Sequence, residues 1–378
     1  MIKTSLNLSG MKIIKNPEKI LIIRLSAIGD VVDVLPALRC LRSNFPESRI
    51  SWLVEDRASA ILSAHPDLDD VIVFPRKKWQ REILKVKKAI STLSDILSFY
   101  RKLHGEHYDL VLDFQGNLKS GIMNLITGTE NRVGFGKGFS KEFNYLFTRY
   151  RVYPQNKREH RIDKNLSLLK GIGFKAKFQN PEFPVSRPDQ EYISHFIDEN
   201  NKCSIPLIIV NPCTSKYGSY KRWPTLNYAR LADMILEKYD VKVIFIWGPN
   251  EFEIVNEIIS YMKQKALVSC KTTIKQLIEL IRRADLYIGG DTGPLHIAST
   301  LRIPTVAIFG PKDPILYGPY HENTAIINKE LPCSPCRDRT CSDPECLTTI
   351  LPEEVFQAVN QLMNKVLIHK TFNQNIKT

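Results

Sequence analysis

Lys19–Leu25 reads KILIIRL, a strand-length run built on the continuous apolar Ile20–Ile23, and the turn Ser26-Ala-Ile-Gly-Asp30 follows it. A helical pattern then occupies Val31 to Asn44. A continuous apolar run of this length fits a strand buried on both faces, as in a parallel sheet. The second half of the chain repeats the arrangement. Asp285–Gly289 (DLYIG) leads into Gly290-Asp-Thr-Gly293 and then a helical pattern over Pro294–Leu301.

Working outward from these two units, further strand patterns fall at 49–54, 71–74, 108–113, 132–135, 206–211, 241–247 and 304–309. Helical patterns fall at 79–103, 225–239, 251–265, 274–284 and 352–367, with a frayed tail expected after Leu367. Alternation of this kind predicts an α/β chain of two doubly wound parallel sheets with helices on both faces. The cluster Gly171, Gly173, Pro181, Pro184 and Pro188 marks the expected linker. The expected organisation is an extension over 1–17, domains over 18–180 and 181–350, and a C-terminal helix and tail over 351–378.

The chain has 378 residues, 43% hydrophobic and 25% charged, enough apolar material for two cores and too much for a disordered chain. No stretch reaches the ~18 apolar residues of a membrane span. The first residues are too polar for a signal peptide, so the expected compartment is the cytoplasm. The net charge is +13, and two windows hold nearly all of it. Arg76–Lys88 has seven bases and one acid, and Arg132–Arg161 has eight bases and two acids. Two such windows in one half of the chain point to an anionic partner rather than to a solubilising surface alone.

Asp30 stands just after the first strand. Its simplest reading is a helix N-cap with Asp33 as capping-box acid. Its functional reading is a carboxylate at a strand's C-terminal end. Asp291 is likewise readable as an N-cap, with Pro294 in the first turn. The amides of Thr292 and Gly293 at the helix start then suit a diphosphate, with His296 close by. Thr214 and Ser215 follow another strand, as phosphate-contacting hydroxyls do, and Lys221-Arg222-Trp223-Pro224 is either an exposed basic loop or a source of charge neutralisation. Glu251 is a helix-start acid or a partner for ribose hydroxyls. No G-x-G-x-x-G follows a strand, and no P-loop or G-x-S-x-G elbow is present.

Several segments together resemble the ADP-heptose:lipopolysaccharide heptosyltransferases of glycosyltransferase family 9. They are KILIIRLSAIGDVVDVLPALRCLR, DLVLDFQGNLKS, KRWP, IWGPNE and DLYIGGDTGPLHIASTLRIPTVAIFGPKDP. The resemblance implies the GT-B architecture, two Rossmann-like domains facing a cleft. It implies inverting, metal-independent transfer of heptose from an ADP-sugar donor to an acidic lipid A-core acceptor. No cofactor and no nucleic-acid partner are implied. The expected enzyme is a monomer in peripheral contact with the inner face of the inner membrane.

By the same resemblance Asp30 matches the general base. Thr214, Lys221, Glu251, Asp291, Thr292, Gly293 and His296 match donor-contacting positions, and Ser215 joins them by its place in the loop. Lys77 and Arg81 match acceptor-binding positions and Lys141 lies near another. Cys213 replaces a hydroxyl residue. Cys333, Cys336, Cys341 and Cys346 form C-x2-C-x4-C-x4-C. That cluster is open to three readings, a zinc site, disulfides or a reduced surface loop, the last preferred. The rival functions are another family 9 transfer, a nucleotide-sugar epimerase or hydrolase, and a non-enzymatic nucleic-acid binder.

Overall fold

A computed structural model describes residues 16–203, 205–336 and 338–375. The chain divides into two compact units. One contains the described residues up to Ser26, then Val34–Lys157 and Asp163–Gln179. The other contains Ala27–Asp33, Arg158–Ile162 and the chain from Asn180 onward. The seven residues after the first strand's turn thus belong with the second unit, although the strand itself belongs to the first.

The first unit is built on β1 (Lys19–Ile23), β2 (Arg49–Glu55), β3 (Asp70–Phe74), β4 (Leu110–Asp113), β5 (Arg132–Phe135) and β6 (Tyr150–Val152), all parallel, in the order β3-β2-β1-β4-β5-β6. The run that opened the reading is the central strand, and Ile20–Ile23 are fully buried. The single helix expected over Val31–Asn44 is two, α1 (Ile28–Val32) and α2 (Leu35–Asn44), because Pro36 begins a new helix rather than continuing one. α3 (Asp56–Leu62) follows β2.

The long basic helix expected from Trp79 is likewise divided, into α4 (Arg76–Glu82) and α5 (Val86–Gly105). Trp79 is buried edge-on against Phe74 and Phe99, ring centroids 5.3 and 5.4 Å away, and this anchor fixes α4 while its bases stay in water. α6 (Leu118–Ile126) completes the layer, and α7 (Arg161–Lys170) follows β6.

The second unit repeats the topology. β7 (Leu207–Asn211), β8 (Lys242–Phe245), β9 (Leu267–Val268), β10 (Leu286–Gly290), β11 (Thr305–Phe309) and β12 (Thr324–Asn328) are parallel, in the order β12-β11-β10-β7-β8-β9. Its helices are α8 (Arg187–Asn200), α9 (Thr225–Lys238), α10 (Phe252–Tyr261), α11 (Ile274–Arg282), α12 (Gly293–Thr300), α13 (Pro314–Tyr317), α14 (Glu345–Thr348) and α15 (Pro352–Asn375). α15 runs past Leu367, beyond the expected start of the tail. Val355, Val359 and Met363 on it pack with Leu231 and Ile235 of α9 in one core. In each sheet the strand order reverses beside the unit's first strand, between β1 and β4 and between β7 and β10. Ligands of doubly wound sheets bind at such switch points, outside the carboxyl ends of the strands.

The DLVLDFQGNLKS stretch has a structural purpose at the first switch point. Asp113 is fully buried at the end of β4. Its Oδ1 accepts the amides of Gln115 and Gly116 at 3.0 Å, and its Oδ2 accepts Ser120 Oγ at 2.8 Å and Asn144 Nδ2 at 2.7 Å. Gly116 has φ +67°, a conformation a side chain strains. Gln115 Oε1 in turn accepts the amide of Leu25 at 3.1 Å, tying the end of β1 to the loop. Lys119 pairs with Glu55. Asp113→Ala leaves four donors without their acceptor, and unsatisfied buried donors cost about 1–3 kcal/mol each before relaxation. We expect a loss of at least ~2 kcal/mol in denaturant unfolding. A midpoint equal to wild type would contradict the structural role.

Candidate active site

At the second switch point Asn211 ends β7 and Gly289 of β10 pairs with it. Asn211 Nδ2 donates to Thr292 Oγ1 at 2.9 Å, closing the gap between the two strand ends. α12 begins there. Its N-cap is Thr292, not Asp291, and Pro294 occupies the first turn, where a missing N–H costs nothing. Asp291 stands one residue before the cap, which frees its carboxylate to face side chains.

Those side chains are Lys221 and His296. Lys221 Nζ donates to the carbonyl of Asp291 and lies 2.8 Å from its Oδ2. The KRWP stretch is therefore not an exposed loop. Trp223 is buried and donates to the carbonyl of Ile350 at 3.0 Å, which presents Lys221 inward. His296 Nε2 lies 3.5 Å from Asp291 Oδ1, and its Nδ1 lies 2.9 Å from Asp33 Oδ1. Asp33, His296, Asp291 and Lys221 thus form one chain of alternating charge, buried at Asp33 and His296 and half-buried at Asp291 and Lys221.

The physics of that chain is set by burial and pairing. Burial disfavours a charged imidazole, but Asp33 and Asp291 outweigh it and raise the His296 pKa well above 6.5. Burial also penalises the Asp291 carboxylate, while His296 and Lys221 together hold it well below the usual carboxylate range. Lys221 uses two of its three N–H bonds on Asp291, leaving one for a ligand.

The chain also explains why α1 clusters with the second unit. A Cβ on Gly29 would lie 2.5 Å from His296 Cδ2, and one on Gly293 would lie 2.7 Å from Ile28 Cγ2. The two glycines let the starts of α1 and α12 touch, and Asp33 locks them through His296. Asp30 is carried on this docked helix. It is not the N-cap, a place taken by Ala27. It is the third helical residue, and its Oδ2 accepts the Ala27 amide at 3.1 Å. Asp33 ends the helix and is no capping-box acid. Half-buried Arg161 adds positive charge nearby. Its charged form is disfavoured by burial and favoured by Tyr317, whose hydroxyl its Nη2 contacts at 2.6 Å, and by Asp30 and Asp33.

The remaining donor candidates sit around the same strand ends. The position of an added Gly218 Cβ is 3.5 Å from each of Lys221 Cε, Ser215 Oγ and Thr214 Cβ, so these three converge. Thr214 is buried and receives Arg222 Nη2 on its carbonyl at 3.2 Å. Glu251 Oε2 accepts the Gly248 amide at 2.9 Å. Burial raises the Glu251 pKa, with Gly248 and Arg222 opposing. Cys213 is buried beneath, its thiol pushed up to about 12 by burial and by Glu251, which makes it inert.

Lys77 and Arg81 are exposed on α4 of the first unit, and Lys141 is exposed after β5. Cys333 and Cys341 are exposed, Cys336 is half-buried and Cys346 is buried, all as free thiols. Among the described residues no group of three or more His, Cys, Asp or Glu is placed to hold a metal ion. Sequence reasoning missed three contributors. Asn211 had a usable signal, a polar residue ending a buried strand. Asp33 as a partner of His296 and Arg161 as a partner of α1 had none, because both pairings join segments over a hundred residues apart.

With this geometry in view, the relatives become informative. The family model described as "Glycosyltransferase family 9 (heptosyltransferase)" matches residues 96–347. The chain belongs to glycosyltransferase family 9. It is a glycosyltransferase, and its two six-stranded parallel sheets are the GT-B architecture. A lipooligosaccharide heptosyltransferase 2 of Campylobacter jejuni is 30% identical over 348 residues, covering 90% of this chain and 97% of that protein. The solved family 9 glycosyl transferase of Veillonella parvula superposes with a TM-score of 0.77 at 21% identity, over 92% of this chain and 98% of that one. Escherichia coli heptosyltransferase WaaC with ADP gives 0.69 at 21%, over 92% and 99%.

His296 supplies a pH test. Its folded pKa lies above its unfolded value, so its contribution to stability is fully present below about pH 6.5 and is lost as pH rises through the folded value. The charged groups facing it are Asp33 and Asp291, with Lys221 on Asp291 and Arg161 acting on Asp33. Asp33→Asn should cost on the order of 2 kcal/mol at pH 6. It should also lower the His296 pKa read from its ring-proton NMR titration and flatten the fall of Tm above pH 6.5. A titration identical to wild type would remove Asp33 from the clasp.

Proposed function

We propose that the enzyme transfers L-glycero-D-manno-heptose from ADP-heptose to the acidic inner core of lipopolysaccharide, inverting the anomeric centre. The observation that carries this reading is the Asp33–His296–Asp291–Lys221 chain. It sits at the start of α12 and carries Asp30 on the helix it clamps. Family membership and the heptosyltransferase names of the relatives supply the substrate class.

The chemistry follows from charge. An acceptor hydroxyl is a poor nucleophile at neutral pH, and a positioned carboxylate that takes its proton accelerates attack by roughly 10²–10⁴-fold. Asp30 is the assigned base; the amide of Ala27 orients it, and the positive charge of Arg161 interacts with it. The oxygen attacks the anomeric carbon as its bond to the diphosphate breaks. The electron pair leaves on the diphosphate, whose growing charge is met by the remaining Lys221 N–H and the first-turn amides of α12. Since these groups already supply positive charge, the reading requires no metal, and transfer should persist in EDTA. Thr214, Ser215, Thr292, Gly293 and His296 complete the donor pocket, and Glu251 is assigned to the ribose hydroxyls. Lys77, Arg81 and Lys141 are assigned to the acidic acceptor. The lipid-borne acceptor brings the enzyme, read as a monomer, into peripheral contact with the inner face of the inner membrane. No helix among the described residues is long and apolar enough to cross one.

Calorimetry with ADP-heptose against UDP-, GDP- and other ADP-sugars tests the donor, and transfer with and without acceptor separates a transferase from a hydrolase. ADP-heptose should be preferred, with turnover dependent on acceptor. Another preferred donor sinks the reading.

Two variants test the roles. Asp30→Asn keeps an oxygen for the Ala27 amide, so melting and donor binding should hold while turnover falls at least ~10²-fold. Near-normal turnover would exclude Asp30 as base. Lys221→Ala should weaken ADP-sugar binding by about 1.5–3 kcal/mol, the range for a charged hydrogen-bond partner. An unchanged Kd in a folded variant would rule out this contact.

A further inference from the structure

The first unit exposes apolar side chains where a water-facing surface would be polar. On α5 the stripe of buried Leu103 and half-buried Ile96, Phe99 and Tyr100 packs on the core. A second apolar stripe, Ile90, Leu93 and Leu97, faces water at helical spacing. Ile90 is 85% exposed, as is Leu84 in the link before α5. α6 packs beside α5 and repeats the pattern with Leu118, Ile122 and Leu125, all exposed at i, i+4, i+7. The segment after β5 packs on α6 and adds Phe143 at 70% and Leu146 at 63% exposure. Solitary exposed apolar residues are ordinary, but three adjacent elements presenting them together are an interaction surface.

The same surface is strongly basic. Arg76–Gly105 has nine Lys and Arg against two acids, Glu82 and Asp95. Lys87 and Arg101 flank the exposed stripe of α5, and Lys85 and Lys88 extend the basic field at its start. An apolar stripe bordered by bases on a helix that lies flat is the pattern of interfacial binding. A nucleic acid would satisfy the bases and leave the apolar stripes in water. A second copy of this face would bring like charges together. An anionic bilayer satisfies both, with headgroups for the bases and the acyl boundary for the stripes.

We propose that the outer face of α5 and α6, with Phe143 and Leu146, docks the enzyme on an anionic phospholipid bilayer. The proposal deepens the reading above, since it rests on an acceptor held in a membrane and names the surface that meets it. No residue assigned to donor or acceptor is part of the apolar face.

The test uses the full-length protein and sedimentation with vesicles of phosphatidylcholine alone or mixed with phosphatidylglycerol, without donor or acceptor. Binding should rise with the phosphatidylglycerol fraction and weaken with salt. The triple variant Ile90→Gln, Leu93→Gln, Leu97→Gln should lose at least ~10-fold in vesicle partitioning. It should keep its melting curve and its transfer to a deacylated, water-soluble acceptor. Failure of wild type to bind phosphatidylglycerol vesicles at low salt overturns the proposal, as does undiminished binding by a folded triple variant. A dimer that the triple variant dissolves assigns the face to a second copy and also overturns it. Loss of transfer to the soluble acceptor in wild type would instead refute the enzymatic reading, so the two failures are distinct.

Discussion

One buried histidine holds the site together. His296 sits between Asp33 and Asp291, and through them it joins a helix from the beginning of the chain to the helix that opens the second switch point. Pairs of buried charges add little net stability over an apolar replacement, because desolvation offsets their attraction. Breaking one partner away is costly for the same reason. Such a chain therefore resists rearrangement more than it stabilises the fold, and it suits a place where a carboxylate must stay put. Gly29 and Gly293 are the steric condition for it, since a methyl group at either would push the two helices apart.

The charges within this chain cancel. With His296 protonated, two carboxylates face one imidazolium and one ammonium, so the chain carries no net charge. Positive potential at the site must come from its surroundings: the first turn of α12, Arg222 behind Thr214, and Arg161 beside α1. The arrangement fixes the geometry with neutral internal pairing, and under the proposed function ligand charge meets the remaining Lys221 N–H and the groups at the edge. An ion pair already formed before the ligand arrives needs little reorganisation during reaction, which is the condition for effective electrostatic stabilisation.

Much of this was readable from the chain. KILIIRL and DLYIG are strands because their apolar cores, Ile20–Ile23 and Leu286–Ile288, leave no polar face, and both are central in their sheets. The turns after them mark the site because parallel sheets place loops there. What misled was local: Asp30 and Asp291 each look like caps, yet the caps are Ala27 and Thr292, because each helix begins at a different residue from the one its acid suggested. What was invisible was distant. Asp33 and His296 are 263 residues apart, and no periodicity links them. Asp113, inside a segment that carries the family resemblance, is occupied by four hydrogen bonds within its own loop and neighbourhood.

The basic windows divide along the same line. Arg158 pairs with Asp313 at 2.8 Å and Arg161 donates to the Tyr317 hydroxyl at 2.6 Å, both within the second unit. Arg132 and Arg151 donate to backbone carbonyls within the first unit, closing the loops around β5 and β6. These cations are spent on structure, whereas most of those on α4 and α5 remain exposed to water. Their retention beside exposed leucines and isoleucines is hard to reconcile with solubility alone, since a solubilising surface needs charge of either sign and no apolar stripes. The asymmetry of charge seen in the sequence therefore has two physical origins, one internal to the fold and one directed outward, and only coordinates separate them.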